Sequence, residues 1–425
     1  MTEEIKQEGT LKKHVWIMNH YAGNTYFDHG GRHYSFAKYL KRAGYEPVVF
    51  CCNAKHGKPE LYFEDKVLWH EHLAEEIHVP FVFVAARTYT GNGRQRVLNM
   101  IDFYRNVKKT AIQYAKSHAR PDVIYASSVH PLTLLAGIQL AKHFHIKCVC
   151  EVRDLWPESI VAYSKRLTKR NPFVRLLYKG EKWLYKKADK LIFTMEGGWD
   201  YICERGWNRE IPRDKVFHIN NGVDLEVFNY NRDHNQIQDS DLEDSNTFKV
   251  IYAGSIRKAN NVGFLLDAAK KVTNPKIKFL LWGTGDELPA LQQRVAKEKI
   301  NNVIFKGRVE KKYVPYIVSQ ANLNIIHIMK TSLIAFGISP NKLFDYFAAG
   351  KPVLIDVQSK YNPVEQFSCG LIGETLEELA QNIQENFASS EEVQAELCEN
   401  SLAAAKEYDF KTLTQKLITI IEEKD

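Results

Sequence analysis

Gly337-Ile338-Ser339-Pro340-Asn341-Lys342-Leu343-Phe344-Asp345-Tyr346-Phe347-Ala348-Ala349-Gly350-Lys351-Pro352 connects two short β-rich runs, residues 323–327 and 352–356. Pro340 suits the first turn of a helix, and Ala348, Ala349 and Gly350 permit close packing followed by a stop. Strand, helix and strand in so short a span read as a parallel pair with a crossover helix. Lys342 lies in the first turn and Asp345 three residues later, so the two point from one face. A carboxylate there can accept both hydroxyls of a ribose, and an ammonium beside free helix amides can neutralise a diphosphate. On an ordinary surface the same pair is an ion pair worth at most about 1 kcal/mol.

The same alternation extends outward in both directions. In the second half of the chain, runs at 248–252, 278–282 and 303–305 precede this motif. A polar, acidic stretch over 229–246 separates them from a first series at 14–18, 47–51, 78–84, 123–126, 147–151, 190–194 and 215–219. The linker therefore divides two similar α/β halves with parallel sheets. The length agrees: 425 residues suggest two domains or one duplicated unit, and 44% apolar with 26% charged residues is the make-up of a globular protein. Thr375 with Glu378 forms a capping box, and Leu413, Leu417, Ile420 and Ile421 give the last helix an apolar stripe whose docking site periodicity does not reveal.

No apolar run nears the roughly 18 residues that cross a bilayer, and residues 1–13 are polar and acidic where a secretory leader would be basic and then apolar. The expected location is the cytoplasm. Seven cysteines without zinc-site spacing read as free thiols.

Charge is uneven. Residues 1–225 carry 35 Lys and Arg against 24 Asp and Glu, a net of +11, and the remainder a net of −4. The densest stretch is 165–190, where Asn171 and Pro172 open a helix. Phe173, Leu176, Leu177, Leu184, Ala188 and Leu191 recur at helical spacing and read as its core face. Val174, Tyr178, Trp183 and Tyr185 fall off that stripe among lysines, a mixture that settles at anionic lipid, with Lys182, Trp183, Lys186 and Lys187 facing the membrane. A solvated basic helix is the alternative. No nucleic-acid module accompanies it.

Two glycine-rich turns look chemical. Asp28-His29-Gly30-Gly31-Arg32 opens a helix, and Gly30 and Gly31 there let amides approach a diphosphate. Trp282-Gly283-Thr284-Gly285-Asp286 follows a strand, so that Gly283 and Gly285 suit a base or ribose at the sheet edge. The dinucleotide and Gly-Lys-Ser/Thr phosphate-loop spacings are absent, which counts against NAD binding and ATP hydrolysis. Asp239-Ser240-Asp241, superficially a metal clamp, reads as solvated loop, and no metal-ligand cluster is evident.

Glu151-Val-Arg153-Asp154-Leu-Trp156-Pro157-Glu158-Ser159, Asn221-Gly222-Val223-Asp224 with Phe228, Tyr252-Ala-Gly254 and the 340–352 segment occur in the order found in family 4 glycosyltransferases. Over nearly its full length the chain resembles a retaining GT-B enzyme, and is most similar to the N-acetyl-L-fucosamine transferases of bacterial surface-polysaccharide assembly. The resemblance implies two Rossmann-like domains facing each other across a cleft. Residues 1–225 would bind the acceptor, joined by a final helix, 409–425, that crosses back. Residues 226–408 would bind the nucleotide sugar. Gly30, Gly31 and Lys342 would hold the donor diphosphate, Asp345 the ribose, and Gly283 and Gly285 would border the base.

Two departures stand out. The glutamate that touches the transferred sugar in the family falls at Gly337, with Asp345 in place of the second. The arginine and lysine expected after Tyr252-Ala-Gly254 are Ser255 and Asn261, so Arg257 and Lys258 become candidates for that charge. His130, in a strand-to-helix loop, and Asp154 are the candidate catalytic residues, contacting sugar or acceptor, although a histidine so placed is more often structural and Asp154 can simply pair with Arg153. Glu158 is a second candidate for acceptor hydroxyls. The implied function is transfer of a sugar from a UDP-linked or similar donor to a lipid-linked or saccharide acceptor, without a cofactor, at the inner face of the membrane. A nucleotide-sugar 2-epimerase and a non-catalytic nucleotide-sugar-binding protein share the architecture and are the rival readings.

Overall fold

Buried apolar runs of three to seven residues build two separate sheets. In the computed structural model, which describes residues 12–64, 66–164 and 167–423, the first half contributes eight strands. They are β1 (His14–Met18), β2 (Glu46–Cys52), β3 (Trp69–Ala74), β4 (Val79–Val84), β5 (Val123–Ser128), β6 (Lys147–Val152), β7 (Lys190–Phe193) and β8 (Val216–His218). Their order is β3-β4-β2-β1-β5-β6-β7-β8, parallel except for the antiparallel β3–β4 pair. The second half contributes β9 (Phe248–Ala253), β10 (Ile277–Trp282), β11 (Val303–Gly307), β12 (Leu323–Ile326), β13 (Val353–Ile355) and β14 (Gly370–Ile372). These run in the order β11-β10-β9-β12-β13-β14, all parallel. Residues 1–11, Lys165 and Arg166 of the basic stretch, and 424–425 lie outside the described residues.

Two strands escape a reading by hydrophobic pattern. β3 is the outer, antiparallel edge of its sheet and carries His70, Glu71 and His72, the polar make-up that edges tolerate and buried parallel strands do not. β14 is three residues long, too short for a period to register.

The last helix, Phe410–Glu422, packs on the first domain: Phe410, Leu413, Leu417, Ile420 and Ile421 join the core formed by β1, β2, β4 and the helix Arg32–Arg42. Two chain crossings run side by side between the domains, Val223 N donating to Tyr408 O (3.1 Å) and Phe410 N to Val223 O (2.9 Å). Asp224, which caps the helix Leu225–His234, also accepts from Lys38 Nζ (2.8 Å) and Tyr39 Oη (3.0 Å) of the first domain.

The basic helix, Pro172–Lys187, begins as expected with Asn171 capping the Phe173 amide, and Leu184, Ala188 and Leu191 of the expected stripe are buried, but the buried face of its first turns is a different one. Val174, Tyr178 and Tyr185 are in the core, whereas Phe173, Leu176 and Trp183 are 60%, 63% and 45% exposed. Buried polar partners decide the face. Glu181 accepts from Tyr185 Oη and Tyr201 Oη (both 2.8 Å), and Tyr178 donates to Glu158 (2.5 Å). Lys182 and Lys186 of the expected membrane face both hold Glu210. Asp239 and Asp241 are also corrected: Lys306 binds both at 2.7 Å, so they close a local ion cluster rather than a solvated loop.

Candidate functional site

The carboxyl ends of β6 and β7 face the end of β12 and the 332–342 segment across a cavity of about 330 Å³. Arg153, Asp154 and Met195 form one wall; His327, Gly337 and Lys342 belong to the other. Loops after parallel strands are where an α/β sheet presents ligand-binding groups, and here two sheets do so toward one space.

Lys342 stands in the first turn of the helix Asn341–Ala348. Its ammonium donates to Tyr252 Oη (3.0 Å) and lies 4.4 Å from that ring's centre. Burial lowers it to about 8. Among the described residues it has no carboxylate partner, so the alternative of a surface ion pair with Asp345 is not what the structure forms. The Asp345 carboxyl is pushed up to about 6 by burial, with Lys311 opposing, and lies away from the cavity wall.

The structure explains the glycine at 337. Its φ is +125°, and a Cβ there would lie 3.2 Å from Glu196 N and 3.4 Å from Met195 Cβ of the first domain. The loop before it docks instead of carrying an acid: Gly197 N donates to Phe336 O (2.8 Å), and the Phe336 ring sits 5.2 Å from Tyr201. Arg257 and Lys258 are exposed and do not line the cavity. Arg257 still acts across the cleft, for burial and then Arg96 and Arg257 hold His56 of the first domain below its ordinary value.

Gly283 and Gly285 have a packing role. Added Cβ atoms would fall 1.8 Å from Gly254 O and 2.0 Å from Ile256 O, so two loops at the end of the second sheet approach through bare backbone. At the first domain's turn the Gly30 amide is already bound to Thr25 O (3.2 Å), and Gly31, at φ +96°, caps the helix Arg32–Arg42, so that nest has one amide fewer than expected. His130 is buried outside the cavity wall. Its Nε2 bonds His20 Nδ1 (2.7 Å), its Nδ1 is enclosed without a partner, and burial followed by Arg96 lowers it to about 3, so it is neutral at physiological pH. Asp154 does line the cavity and forms no ion pair with Arg153 among the described residues; burial raises its carboxyl against the pull of Arg153 and Arg96. Glu158 is buried and bound by Tyr178 and Lys169, which takes it out of the acceptor site.

His327 and Asp356 went unnoticed in the sequence. They end neighbouring strand runs, and the structure bonds His327 Nδ1 to Asp356, stacks the imidazole on Phe264 (4.7 Å) and sets Nε2 3.3 Å from Asn261 Nδ2 beside the cavity. Their signal was position: both stand at the carboxyl end of a parallel strand. Among the described residues no three His, Cys, Asp or Glu side chains group in a way that could hold a metal ion, and no helix is long and apolar enough to cross a membrane.

Two Rossmann-like domains facing each other across a cleft, bridged by a returning helix, define the GT-B class. Residues 33–227 match the family model Glycosyltransferase Family 4, and residues 247–388 match Glycosyl transferases group 1. With these two matches in tandem, the chain belongs to the family 4 glycosyltransferases. The teichuronic acid biosynthesis glycosyltransferase TuaH of Bacillus subtilis (strain 168) is 27% identical over 209 residues, 48% of this chain and 49% of that protein. The chain thus spans about half the length of the curated relative it matches. Among solved structures, sucrose-phosphate synthase from Thermosynechococcus elongatus superposes with a TM-score of 0.69 at 17% identity, covering 96% of this chain and 98% of that one. Anabaena Alr3699/HepE in complex with UDP gives 0.63 at 15% identity over 96% and 98%.

Proposed function

We propose that this protein transfers a sugar from a nucleotide-diphosphate donor, held in the interdomain cavity, to an acceptor hydroxyl presented by the first domain. The observation that carries the reading is Lys342, a buried cation without a carboxylate partner among the described residues, at a helix start that opens into that cavity. As the glycosidic bond breaks, negative charge grows on the leaving diphosphate, and a preorganised ammonium stabilises it without rearrangement. Closure of the cleft over the donor excludes water that would hydrolyse it. Transfer is retaining: the leaving phosphate takes the acceptor proton on the face it departs from. His130 stays neutral behind the first-domain wall, and Asp154 meets the acceptor. The positive potential comes from protein groups, so no cofactor enters the reading. The donor is a UDP-linked N-acetylamino sugar and the acceptor a lipid-linked or saccharide chain of a bacterial surface polysaccharide; the UDP-bound neighbour supports the nucleotide and the teichuronic acid relative the polysaccharide setting. A nucleotide-sugar panel tests this by thermal shift, since a ligand bound only by the native state raises its stability. Release of free UDP only when acceptor is added separates a transferase from an epimerase or a silent binder.

The nucleoside end of the donor extends past the cavity wall to Asp345, which binds the ribose as a carboxylate. A group at about 6 is ionised above that pH, so donor affinity rises between pH 5 and 7 and levels off beyond. Asp345→Asn flattens this dependence and raises the donor dissociation constant about tenfold, the scale of a lost hydrogen bond to a charged group. Isothermal titration at both pH values decides it; an Asn variant that keeps the wild-type slope removes Asp345 from the site.

The acceptor side docks on anionic membrane, through residues other than those the sequence suggested. Phe173, Leu176 and Trp183 form one exposed face of the basic helix with Lys179 and Lys187. Replacing the three apolar residues with serine weakens sedimentation with phosphatidylglycerol vesicles tenfold or more, because each buried side chain of this size is worth about 1.5–3 kcal/mol. Unchanged sedimentation refutes the membrane site.

A further inference from the structure

Arg153 follows β6 and lines the interdomain cavity, and its Nε is buried with no hydrogen-bond partner among the described residues. The acid that attracts it most is already engaged and makes no ion pair with it among the described residues. Glu151 already accepts from both Nε and Nη2 of Arg32, from Tyr125 Oη and from Ser127 Oγ, which occupies both of its oxygens. Asp154, next in the chain, makes no ion pair with it among the described residues. Burial pulls Arg153 below the ordinary arginine range, and Arg32 adds repulsion, against the attraction of Glu151. A cation so placed is costly unless something neutralises it. Across the same space stands Lys342, also without a carboxylate partner among the described residues. Asp154 is the single acid on the cavity wall among the described residues.

We propose that Arg153 grips the donor diphosphate from the first domain, opposite Lys342, and supplies the charge that Ser255 and Asn261 do not. The planar guanidinium presents a donor fork that matches phosphate oxygens two at a time, which a lysine does not. A diphosphate bridging Arg153 and Lys342 joins the two domains through the ligand, so donor binding and cleft closure become one event. This role rests on the reading of the cavity as a nucleotide-sugar site.

The test uses the full chain with Arg153→Met and Arg153→Lys, and whichever of UDP, GDP or dTDP binds the wild type, beside its monophosphate. In Arg153→Met the diphosphate dissociation constant rises tenfold or more and the monophosphate constant changes less than threefold. The melting temperature of the ligand-free variant is equal to or above that of the wild type, because an uncompensated cation has been removed. Arg153→Lys recovers part of the affinity. Diphosphate affinity within twofold of wild type together with a lower melting temperature assigns Arg153 to the scaffold and overturns the proposal. So does a variant whose one defect is a raised acceptor KM, which would place the acceptor's own phosphate at Arg153. A wild type that binds none of the three diphosphates overturns the nucleotide-sugar reading itself, and Arg153 falls with it.

Discussion

Arg32→Met is expected to cost about 3–5 kcal/mol of stability, the range for removing one partner of a buried ion pair. The side chain is almost fully enclosed, as is Glu151. Its Nε donates to Glu151 Oε1 (2.8 Å), Nη1 to Asn220 O (2.6 Å) and Nη2 to Ile219 O (3.0 Å), so one guanidinium ties the helix Arg32–Arg42 to β6 and to the crossing between the domains. Methionine fills similar volume and leaves the Glu151 carboxylate and two carbonyls stranded. Against a typical total of about 5–15 kcal/mol the loss is large. The pH dependence supplies a second check. Burial alone would raise Glu151, yet Arg32 beside it brings the carboxyl down to about 2. A lowered carboxyl contributes stability above its unfolded value, near 4.5, and loses it as pH falls toward 2. Without Arg32 burial prevails, the carboxyl rises, and protonation relieves the variant. The gap between wild type and Arg32→Met therefore narrows on acidification from pH 7 to 5. Urea denaturation at the two pH values measures it. A loss below 1 kcal/mol at pH 7 would mean that Tyr125, Ser127 and Arg153 suffice to hold Glu151.

Lys342→Met is expected to lower kcat/KM about 10²–10³-fold, the scale of deleting one preorganised donor to a developing anion. The fold should survive, since among the described residues the ammonium bonds only Tyr252 Oη and its methylenes are retained in kind. The cation at about 8 is charged below that pH, and the carboxyl at about 6 is ionised above its own. In the free enzyme both are in the binding form between those values, so kcat/KM traces a bell across that window. Lys342→Met removes the alkaline limb and Asp345→Asn the acid one. Full activity in Lys342→Met, with an unchanged alkaline limb, would move the diphosphate elsewhere.

The Gly30-Gly31-Arg32 turn shows how far a motif can be read. Its glycines were legible as a tight turn at a helix start, and Gly31 does adopt a positive φ there. The structural weight of Arg32 was not, because Glu151 lies more than a hundred residues away in the chain. The basic helix is similar. Its start at Asn171 and Pro172 was local and plain, while its buried face depended on Tyr201 and Glu158, which satisfy the Glu181 and Tyr178 side chains. Apolar periodicity placed Leu184, Ala188 and Leu191 correctly, but it also chose Phe173 and Leu176, where hydrogen-bond satisfaction chose otherwise.

Taken alone, the amino-acid sequence determined two parallel α/β halves, the linker between them, the capping and apolar face of the final helix, and the segment bearing Lys342 and Asp345. All of these rest on interactions within a few residues: apolar runs, caps, turns and helix spacing. Only the tertiary structure decided which cations share the cavity, which glycine amides are already bound, that His327 meets Asp356, and that the loop at Gly337 docks on the first domain. Each of those is a question of burial and partnership between distant segments, and a side chain's charge acquires its cost and its use only once water has been excluded from around it.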